Sequence, residues 1–290
     1  MHPILFEIPG LGWPIRSFGV MVAIGFLVGS HIFTRLAARY GDDPVNDPAR
    51  VSNITVWIVA GVMLGARLMY VIVQIAMDTP DGQHFRADPM SIFFIWQGGL
   101  VMYGGMIGAI GFGMWAAKRL KVRPVHALDM GIVAGFVGQA IGRVGCLLVG
   151  DDYGKVVPER WQSLPFPITL RVPDPLPHES LFGAENMGKV LWATQPLMTI
   201  KALIIAYVGW QILKRRRYTG QVSLWVILLY AILRSLVELL RGDGVRGVWF
   251  GNTVSTSQLV SGVMALIAVA LLIKNRNKSD PLPDARAQAR

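Results

Sequence analysis

Long apolar stretches alternate with short polar connectors along the chain, a pattern typical of helices that cross a bilayer. About 20 residues are needed to span the hydrocarbon core, and seven stretches approach or exceed this length. They cover residues 16–35, 51–75, 94–117, 126–148, 195–213, 220–241 and 256–274. The pattern predicts an all-α polytopic membrane protein with about seven transmembrane helices, in one membrane domain over residues 1–274.

Two polar segments differ from the short connectors. Residues 151–194, between the predicted fourth and fifth transmembrane helices, are long and rich in proline, and 166–172 alternate like a short strand. We expect this segment, called the cap segment below, to form a small extracytoplasmic cap. Residues 275–290 are polar and charged, and we expect a disordered cytoplasmic tail.

The composition supports a membrane location and predicts its orientation. Of 290 residues, 53% are hydrophobic and 16% are charged, whereas a soluble protein has about 25% charged residues. Sixteen of the 28 lysines and arginines follow the first, third, fifth and seventh spans, and eight lie on the opposite side. Because positive residues concentrate in the cytoplasm, we expect an external N-terminus and a cytoplasmic C-terminus. The net charge of +10 then reflects topology and attraction to membrane lipids, and we find no nucleic-acid motif.

Metal and cofactor chemistry is not expected. The single cysteine, Cys146, excludes an internal disulfide and a cysteine-rich metal site. The five histidines form no close pair with ligand spacing. We interpret Cys146 as a small apolar residue packed beside Gly145 rather than as an enzyme nucleophile.

Charged residues inside the predicted spans are the strongest functional signal. Burying each costs about 2.5–3.5 kcal/mol, so such residues are usually functional. Arg67, Arg143 and Arg234 all fall roughly 7–12 Å inward from the outer surface at the helical rise, and Tyr103 reaches a similar depth. Glu238 follows Arg234 by one helical turn, which leaves the three arginines in excess. The excess positive charge predicts a shared cavity that binds an anionic phospholipid headgroup, which guanidinium groups hold bidentately.

Each of these charges also has a structural alternative. Arg67 can equally donate to backbone carbonyls, and Arg234 with Glu238 can form an ion pair within one helix. For Arg241 and Lys201 we favour snorkelling to the membrane surface. Arg143 is the hardest to explain structurally, because glycines flank it and an acidic pair follows at 151–152.

Glycines at four-residue spacing allow helices to approach closely, and tight packing is their favoured interpretation. The pairs are Gly61/Gly65, Gly104/Gly108, and Gly131/Gly135 with Gly138/Gly142. The doublets at 98–99 and 104–105 are less usual, and could unwind the start of the third span where it lines a cavity.

Several segments, in order, resemble motifs of the prolipoprotein diacylglyceryl transferase family over about residues 14–270. The most specific is 142–154, Gly-Arg-Val-Gly-Cys-Leu-Leu-Val-Gly-Asp-Asp-Tyr-Gly. The others are 18–21, 65–70, 97–105, 230–241 and 255–258. The resemblance implies a multi-pass enzyme of the bacterial inner membrane that needs no cofactor. Its substrates would be phosphatidylglycerol and the signal-peptide region of a prolipoprotein, whose lipobox cysteine thiol takes the diacylglyceryl group as glycerol phosphate is released.

The resemblance also implies roles for individual residues. Arg143 and Arg234 would stabilise the leaving phosphate, and Glu238 would orient Arg234. Asp151 takes the place of the family's signature acid, and Tyr103 that of a histidine that could act as the base. The residues implied to contact substrate are Phe18, Arg67, Gly104, Gly105, Gly142, Gly145, Cys146 and Gly154.

Four departures from the family pattern leave alternatives open. Phe18 replaces a tyrosine, Tyr103 a histidine and Cys146 an asparagine, and a His-Pro-[Ser/Thr]-Gln motif survives only as Thr194-Gln195. One alternative is a divergent relative that uses the same lipid donor with another acceptor. A second is a transporter of anionic lipids, although the chain lacks the related halves typical of transporters.

Overall fold

The computed structural model describes residues 1–7, 9–10, 12–95, 98–242, 248–249 and 254–280. Most of them are helical, so the predicted all-α class is confirmed. The helices are α1 Ser17–Tyr40, α2 Asp47–Ala76, α3 Pro80–Ala87, α4 Met102–Arg119, α5 Pro124–Val149, α6 Thr194–Arg215, α7 Gln221–Glu238 and α8 Thr256–Lys274. The antiparallel strand pairs are β1 Ile4–Glu7 with β2 Pro14–Arg16, β3 Thr169–Arg171 with β4 Val190–Trp192, and β5 Val248–Trp249 with β6 Val254–Ser255.

Six of the described helices, α1, α2, α5, α6, α7 and α8, are long and apolar enough to cross a membrane, so a multi-pass membrane protein is confirmed. The predicted third span, 94–117, overlaps α4, which is not among the six. Before α4, Gly98 and Gly99 adopt φ of 86° and 72°, a left-handed conformation that a right-handed helix cannot include. Gln97, in the same motif, lies outside the described residues. The count of seven transmembrane helices stays a prediction.

The described chain falls into two compact units. One contains Met1–Ile32 and the chain from Asp129 onward, and the other contains Phe33–Leu128. In the first unit, α6, α7 and α8 pack in sequence, whereas in the second α2 packs against α3 and α4. Arg143, Arg234 and the cap segment belong to the first unit.

The glycines of α2 and α4 let these two helices touch through their backbones. A Cβ built on Gly61 or Gly65 would lie under 3.0 Å from the carbonyl oxygen of Gly108 or Gly104, respectively. Such contacts do not occur between real side chains, so the packing interpretation of these pairs is confirmed.

Packing also explains Gly138 of α5, but not its neighbours at the same spacing. Gly138 and Gly25 of α1 approach so closely that a Cβ on either would meet the other's carbonyl oxygen. A Cβ on Gly135 or Gly142 would meet no described atom within 4 Å. For these two glycines the packing interpretation is wrong.

The start of α7 is fixed to α5 by a buried carboxylate. Asp129 accepts from the backbone N–H groups of Gly220 and Ser223 at 2.7 and 2.9 Å, and from the Ser223 hydroxyl at 2.7 Å. The side chain thus satisfies donors that a helix start leaves without intrahelical partners. This anchor sets the position of α7, which carries Arg234 and Glu238.

The cap segment has a small core of its own. Val172, Phe182 and Leu191 are each 1% exposed and pack together beside the β3–β4 pair. The strand expected within 166–172 is confirmed as β3. Of the predicted tail, residues 281–290 lie outside the described residues. Asp280 donates its N–H to the carbonyl of Arg217 at 3.0 Å, so the described part of that tail contacts the loop before α7.

Candidate active site

The loop after α5 is held against the start of α6. The N–H of Asp151 donates to the carbonyl of Cys146 at 3.0 Å, where the helix ends. The side chains of Thr194 and Gln195 donate to the carbonyls of Asp152 and Asp151 at 2.5 and 2.8 Å. Both side chains are fully buried. The Thr-Gln pair, noted in the sequence only as the remnant of a motif, therefore positions two acidic residues.

Asp152 joins two arginines that are far apart in the sequence. One carboxylate oxygen accepts from Nη1 of Arg143 on α5, and the other accepts from Nη2 of Arg241 just after α7. The side chains of Asp152 and Arg241 are 21% and 9% exposed, so little water competes for these ion pairs. The interpretation that Arg241 snorkels to the membrane surface is wrong, because this carboxylate holds it inside the protein.

Gly154 allows the chain around Arg241 to reach the same loop. Gly154 and Arg241 form an antiparallel bridge, and the N–H of Lys155 donates to the carbonyl of Leu240 at 2.8 Å. A Cβ on Gly154 would come within 3.0 Å of backbone oxygens of Trp192 and Leu240. Only glycine fits without displacing backbone, so in this structure Gly154 serves the approach of two protein segments.

Arg234 and Glu238 form the ion pair along one face of α7 that the sequence left as an alternative. Their Nη1 and Oε2 atoms lie 2.8 Å apart, and both side chains are largely buried. The two atoms are not aligned for a hydrogen bond, and Nη1 of Arg234 makes none with any described residue. The pair is thus arranged so that Glu238 offsets the charge of Arg234 without saturating its donors.

Lys201, on the second turn of α6, points inward. It is 6% exposed, and its ammonium nitrogen lies 4.6 Å from the ring centroid of Tyr230 on α7. The positive charges of Arg234, Arg143 and Arg241 and the carboxylate of Asp152 all act on it. The expectation that Lys201 snorkels is wrong, and the residue belongs to the same cluster as the arginines.

The pKa values of the two acids in the loop just beyond α5 are shifted in opposite directions. Burial raises the pKa of Asp151, and the neighbouring Asp152 raises it further. Burial alone would also raise the pKa of Asp152, but the guanidinium groups of Arg143 and Arg241 outweigh it, so the net pKa is below its usual range. The arginines therefore favour the carboxylate form of Asp152, and the raised pKa of Asp151 makes it the better proton acceptor of the pair.

Arg143 keeps part of its hydrogen-bonding fork available. Its Nη1 contacts Asp152 and, more weakly, the Sγ of Cys146 at 3.9 Å. Among the described residues, no partner is seen for its Nε or Nη2. Next to it in the chain, a Cβ on Gly142 would meet no described atom within 4 Å. A guanidinium with donors to spare beside a helix position that has no side chain suits an anionic ligand.

Three further residues predicted to contact substrate, Phe18, Gly145 and Cys146, belong to this unit. A Cβ on Gly145 would lie 3.0 Å from the Cβ of Met21 and 3.3 Å from Cα of Phe18. Phe18 is itself 42% exposed, and Cys146 is buried. Gly145 therefore sets the approach of α1 to α5, and Cys146 is the small buried residue expected from the sequence.

Arg67 belongs to the other unit and is engaged by backbone. Its guanidinium donates to the carbonyls of Ser91, Ile92 and Gly98 at 2.8–2.9 Å. The rings of Tyr70 and Phe85 lie 5.8 and 5.2 Å away. This geometry supports the structural alternative for Arg67, and a cavity shared with Arg143 and Arg234 stays a prediction.

Tyr103, Gly104 and Gly105 also lie in that unit, in the first turn of α4. Tyr103 is half-buried, whereas both glycines are buried against α2. Gly104 in particular faces Gly65, as described above. Their predicted roles at a substrate site stay predictions.

Cys146, Asp151 and Asp152 present ligand atoms within 4.8 Å of one another, which is close enough for a metal ion. The two guanidinium groups on Asp152 occupy its carboxylate and would repel a cation. The cluster as a whole contains four cationic residues, Arg143, Lys201, Arg234 and Arg241, beside three carboxylates. It is therefore better suited to an anion than to a metal.

Sequence reasoning missed Arg241 and Lys201 as members of this cluster, and it gave Asp152 no role. A signal for Lys201 was present, because it lies seven residues into α6, about 10 Å along the helix axis. That depth matches the one used to select the three arginines. Arg241 and Asp152 had no such signal, since their contact joins residues that are 89 positions apart in the sequence.

A family model described as prolipoprotein diacylglyceryl transferase matches residues 3–274. Among similar proteins, the phosphatidylglycerol–prolipoprotein diacylglyceryl transferase of Geobacter sulfurreducens is 29% identical over 283 residues, covering 97% of this chain and 98% of its own. The protein of the same name from Rhodospirillum rubrum is 26% identical over 294 residues, covering 99% and 97%. That from Pasteurella multocida is 29% identical over 275 residues, covering 93% and 91%.

Proposed function

Because the chain belongs to the prolipoprotein diacylglyceryl transferase family, we propose that it transfers diacylglyceryl from phosphatidylglycerol to the lipobox cysteine of a prolipoprotein. Glycerol phosphate is the second product. The chain is a multi-pass bacterial membrane protein and a transferase of lipoprotein biosynthesis. The observation that carries the assignment of the site is the group of arginines around Asp152.

The arginine cluster binds the phosphodiester of the lipid. Nε and Nη2 of Arg143 are available for two parallel hydrogen bonds to phosphate oxygens, the geometry that guanidinium groups favour. Arg234 supplies a second guanidinium from α7. Gly142 leaves room for the headgroup beside the helix. Arg241 does not take part directly, since it holds Asp152 in place.

The reaction forms one bond and breaks one bond. The thiolate sulfur of the acceptor attacks the terminal carbon of the diacylglyceryl group, and the bond from this carbon to the phosphate oxygen breaks. Negative charge then builds on the departing glycerol phosphate, where Arg143 and Arg234 stabilise it. The thiol first loses its proton, for which Asp151 is suited by its raised pKa, because a base works best when its pKa is closer to that of the donor.

The charge distribution supports an orientation with the N-terminus outside and the C-terminus in the cytoplasm of a bacterial inner membrane. Positive residues concentrate after the first, third, fifth and seventh predicted spans. In that orientation the cap segment, Asp151 and Asp152 lie on the outer side. An acceptor whose cysteine has crossed the membrane would meet the lipid there.

The direct test is reconstitution of the purified protein with phosphatidylglycerol and a lipobox peptide, followed by measurement of the peptide mass. We expect a gain of one diacylglyceryl group and release of glycerol phosphate. Arg143→Ala should lower the rate on the order of 100-fold or more while the protein stays folded, because Asp152 keeps Arg241 as a partner. Arg160→Ala, an exposed arginine of the cap segment, is the matched control. Wild-type rates in Arg143→Ala would contradict the assignment of the phosphate site.

A divergent acceptor is the second candidate, because Cys146 stands where the family motif has an asparagine. A thiol cannot replace the amide as a hydrogen-bond partner for substrate. If the chain uses another acceptor, wild-type protein should consume phosphatidylglycerol without modifying a lipobox peptide. Cys146→Asn should then raise transfer to that peptide, whereas equal transfer by the two proteins would remove this candidate.

A further inference from the structure

Lys201 is the buried cation of the cluster that the proposed reaction does not yet use. The side chain lies on α6, is 6% exposed, and extends to the ring face of Tyr230. Three guanidinium groups act on it electrostatically. Removing an ammonium group from water is costly unless a counter-charge compensates. Repulsion by the neighbouring guanidinium groups makes burial of the Lys201 ammonium group more costly still.

The other cations of the cluster each have a carboxylate. Asp152 pairs with Arg143 and Arg241, and Glu238 pairs with Arg234. Within the described parts of the chain, Lys201 forms no hydrogen bond or ion pair, and its contact is the aromatic face of Tyr230. The four cations of the cluster exceed its three carboxylates by one, and Lys201 is the cation that has no carboxylate partner among the described residues.

Asp151 forms no ion pair with Lys201 among the described residues. One of its carboxylate oxygens accepts the N–H of Asp152 at 2.8 Å. Lys201 and Arg143 act on each other electrostatically, and both keep donors that have no partner among the described residues. A ligand that brings one negative charge would balance the net charge of the cluster.

We propose that Lys201 is a substrate-binding residue whose ammonium group binds a phosphate oxygen of the anionic lipid, together with the guanidinium of Arg143. The inference rests on the proposed function for the identity of the lipid. It makes Lys201, rather than the paired arginines, the residue that selects a lipid with net negative charge. A zwitterionic phospholipid carries its own cation and would leave the charge of Lys201 unbalanced.

The test separates lipid binding from turnover. Wild-type protein and the variants Lys201→Met, Lys201→Arg and Lys214→Met are purified in detergent, supplied with phosphatidylglycerol or phosphatidylcholine, and examined by native mass spectrometry for retained lipid. Lys214 is the matched control, because it lies on the same helix, contacts the Trp210 ring at 3.2 Å, and is exposed.

We expect Lys201→Met to retain phosphatidylglycerol at least about tenfold less well, as for the loss of a charged hydrogen bond, and to bind phosphatidylcholine unchanged. Lys201→Arg should keep most of the preference, and Lys214→Met all of it. In the transfer assay, Lys201→Met should raise KM for phosphatidylglycerol more than it lowers kcat. Removing an unpaired buried charge should leave the melting temperature unchanged or higher. If Lys201→Met nevertheless fails to fold, Lys201→Gln serves in the same assays.

The outcomes distinguish this inference from the proposed function. Transfer by the wild type, with equal retention and equal KM in Lys201→Met, would overturn the role of Lys201 and leave the transferase assignment intact. Selective retention of phosphatidylglycerol that depends on Lys201, without any transfer by the wild type, would support the binding role and contradict the transferase. Equal retention of both lipids by the wild type would also overturn the inference.

Discussion

Gly154→Ala tests whether the loop that carries Asp152 is positioned by backbone contact. The substitution adds a single methyl group at a residue that has no left-handed φ, so backbone strain does not enter. The new Cβ would fall within 3.0 Å of backbone oxygens of Trp192 and Leu240. Because these atoms belong to the backbone, they cannot rotate away as a flexible side chain could. One of the two segments has to move.

The size of the effect follows from these contacts. Inserting a methyl group into a packed site costs about 1–3 kcal/mol, and rigid surroundings favour the upper end. The bridging hydrogen bonds, from Lys155 to Leu240 at 2.8 Å and from Gly242 to Tyr153 at 3.1 Å, would lengthen as the segments separate. A loss of about 3 kcal/mol corresponds to a melting temperature lower by roughly 6–9 °C. A displacement of about 1 Å at the site can lower a rate about 100-fold.

The assay combines thermal unfolding in detergent with the peptide transfer rate below the melting temperature of the variant. Gly135→Ala is the matched control, since its Cβ would meet no described atom within 4 Å and it lies within α5. Alanine is about 1 kcal/mol better than glycine inside a helix, so this control should be at least as stable as the wild type and equally active. If Gly154→Ala matched the control in both measurements, the close backbone approach would not be what positions Asp152.

Arg234→Lys replaces a planar fork by a point charge, so we expect the transfer rate to fall about tenfold or more; full activity would contradict bidentate binding. Gly142→Ala should leave the melting temperature unchanged or higher but raise KM for phosphatidylglycerol, because its Cβ enters open space beside Arg143. Asp152→Asn should destabilise the protein at pH 7. Because arginines hold the folded pKa of Asp152 below its usual value of about 3.9, its contribution is present above that value and lost as pH falls through the folded pKa. Thermal unfolding should therefore show a smaller difference between variant and wild type at about pH 3 than at pH 7, and an equal difference would exclude the ion pairs as its cause.

The apolar pattern of the sequence predicted most of the helices well, for a reason that belongs to the bilayer. A membrane helix satisfies its backbone hydrogen bonds internally, so its length and apolar composition are local properties. The predicted span 256–274 and α8 have the same bounds, and 126–148 differs from α5 by two residues or fewer at either end. The third span was less well predicted, because Gly98 and Gly99 are not helical and α4 begins only at Met102, within the apolar run.

By itself, the sequence determined that this is an α-helical membrane protein, placed Arg143, Arg234 and Glu238 in its spans, and carried the motifs of its family. Charged residues within an apolar run, and motifs in a fixed order, can be recognised in the sequence without knowledge of any tertiary contact. Only the tertiary structure decided how the charges are used. It paired Asp152 with Arg143 and Arg241, bonded Arg67 to backbone carbonyls, and left Lys201 without a carboxylate among the described residues. Charge compensation acts over a few ångströms in space, and the partners here come from different helices and loops.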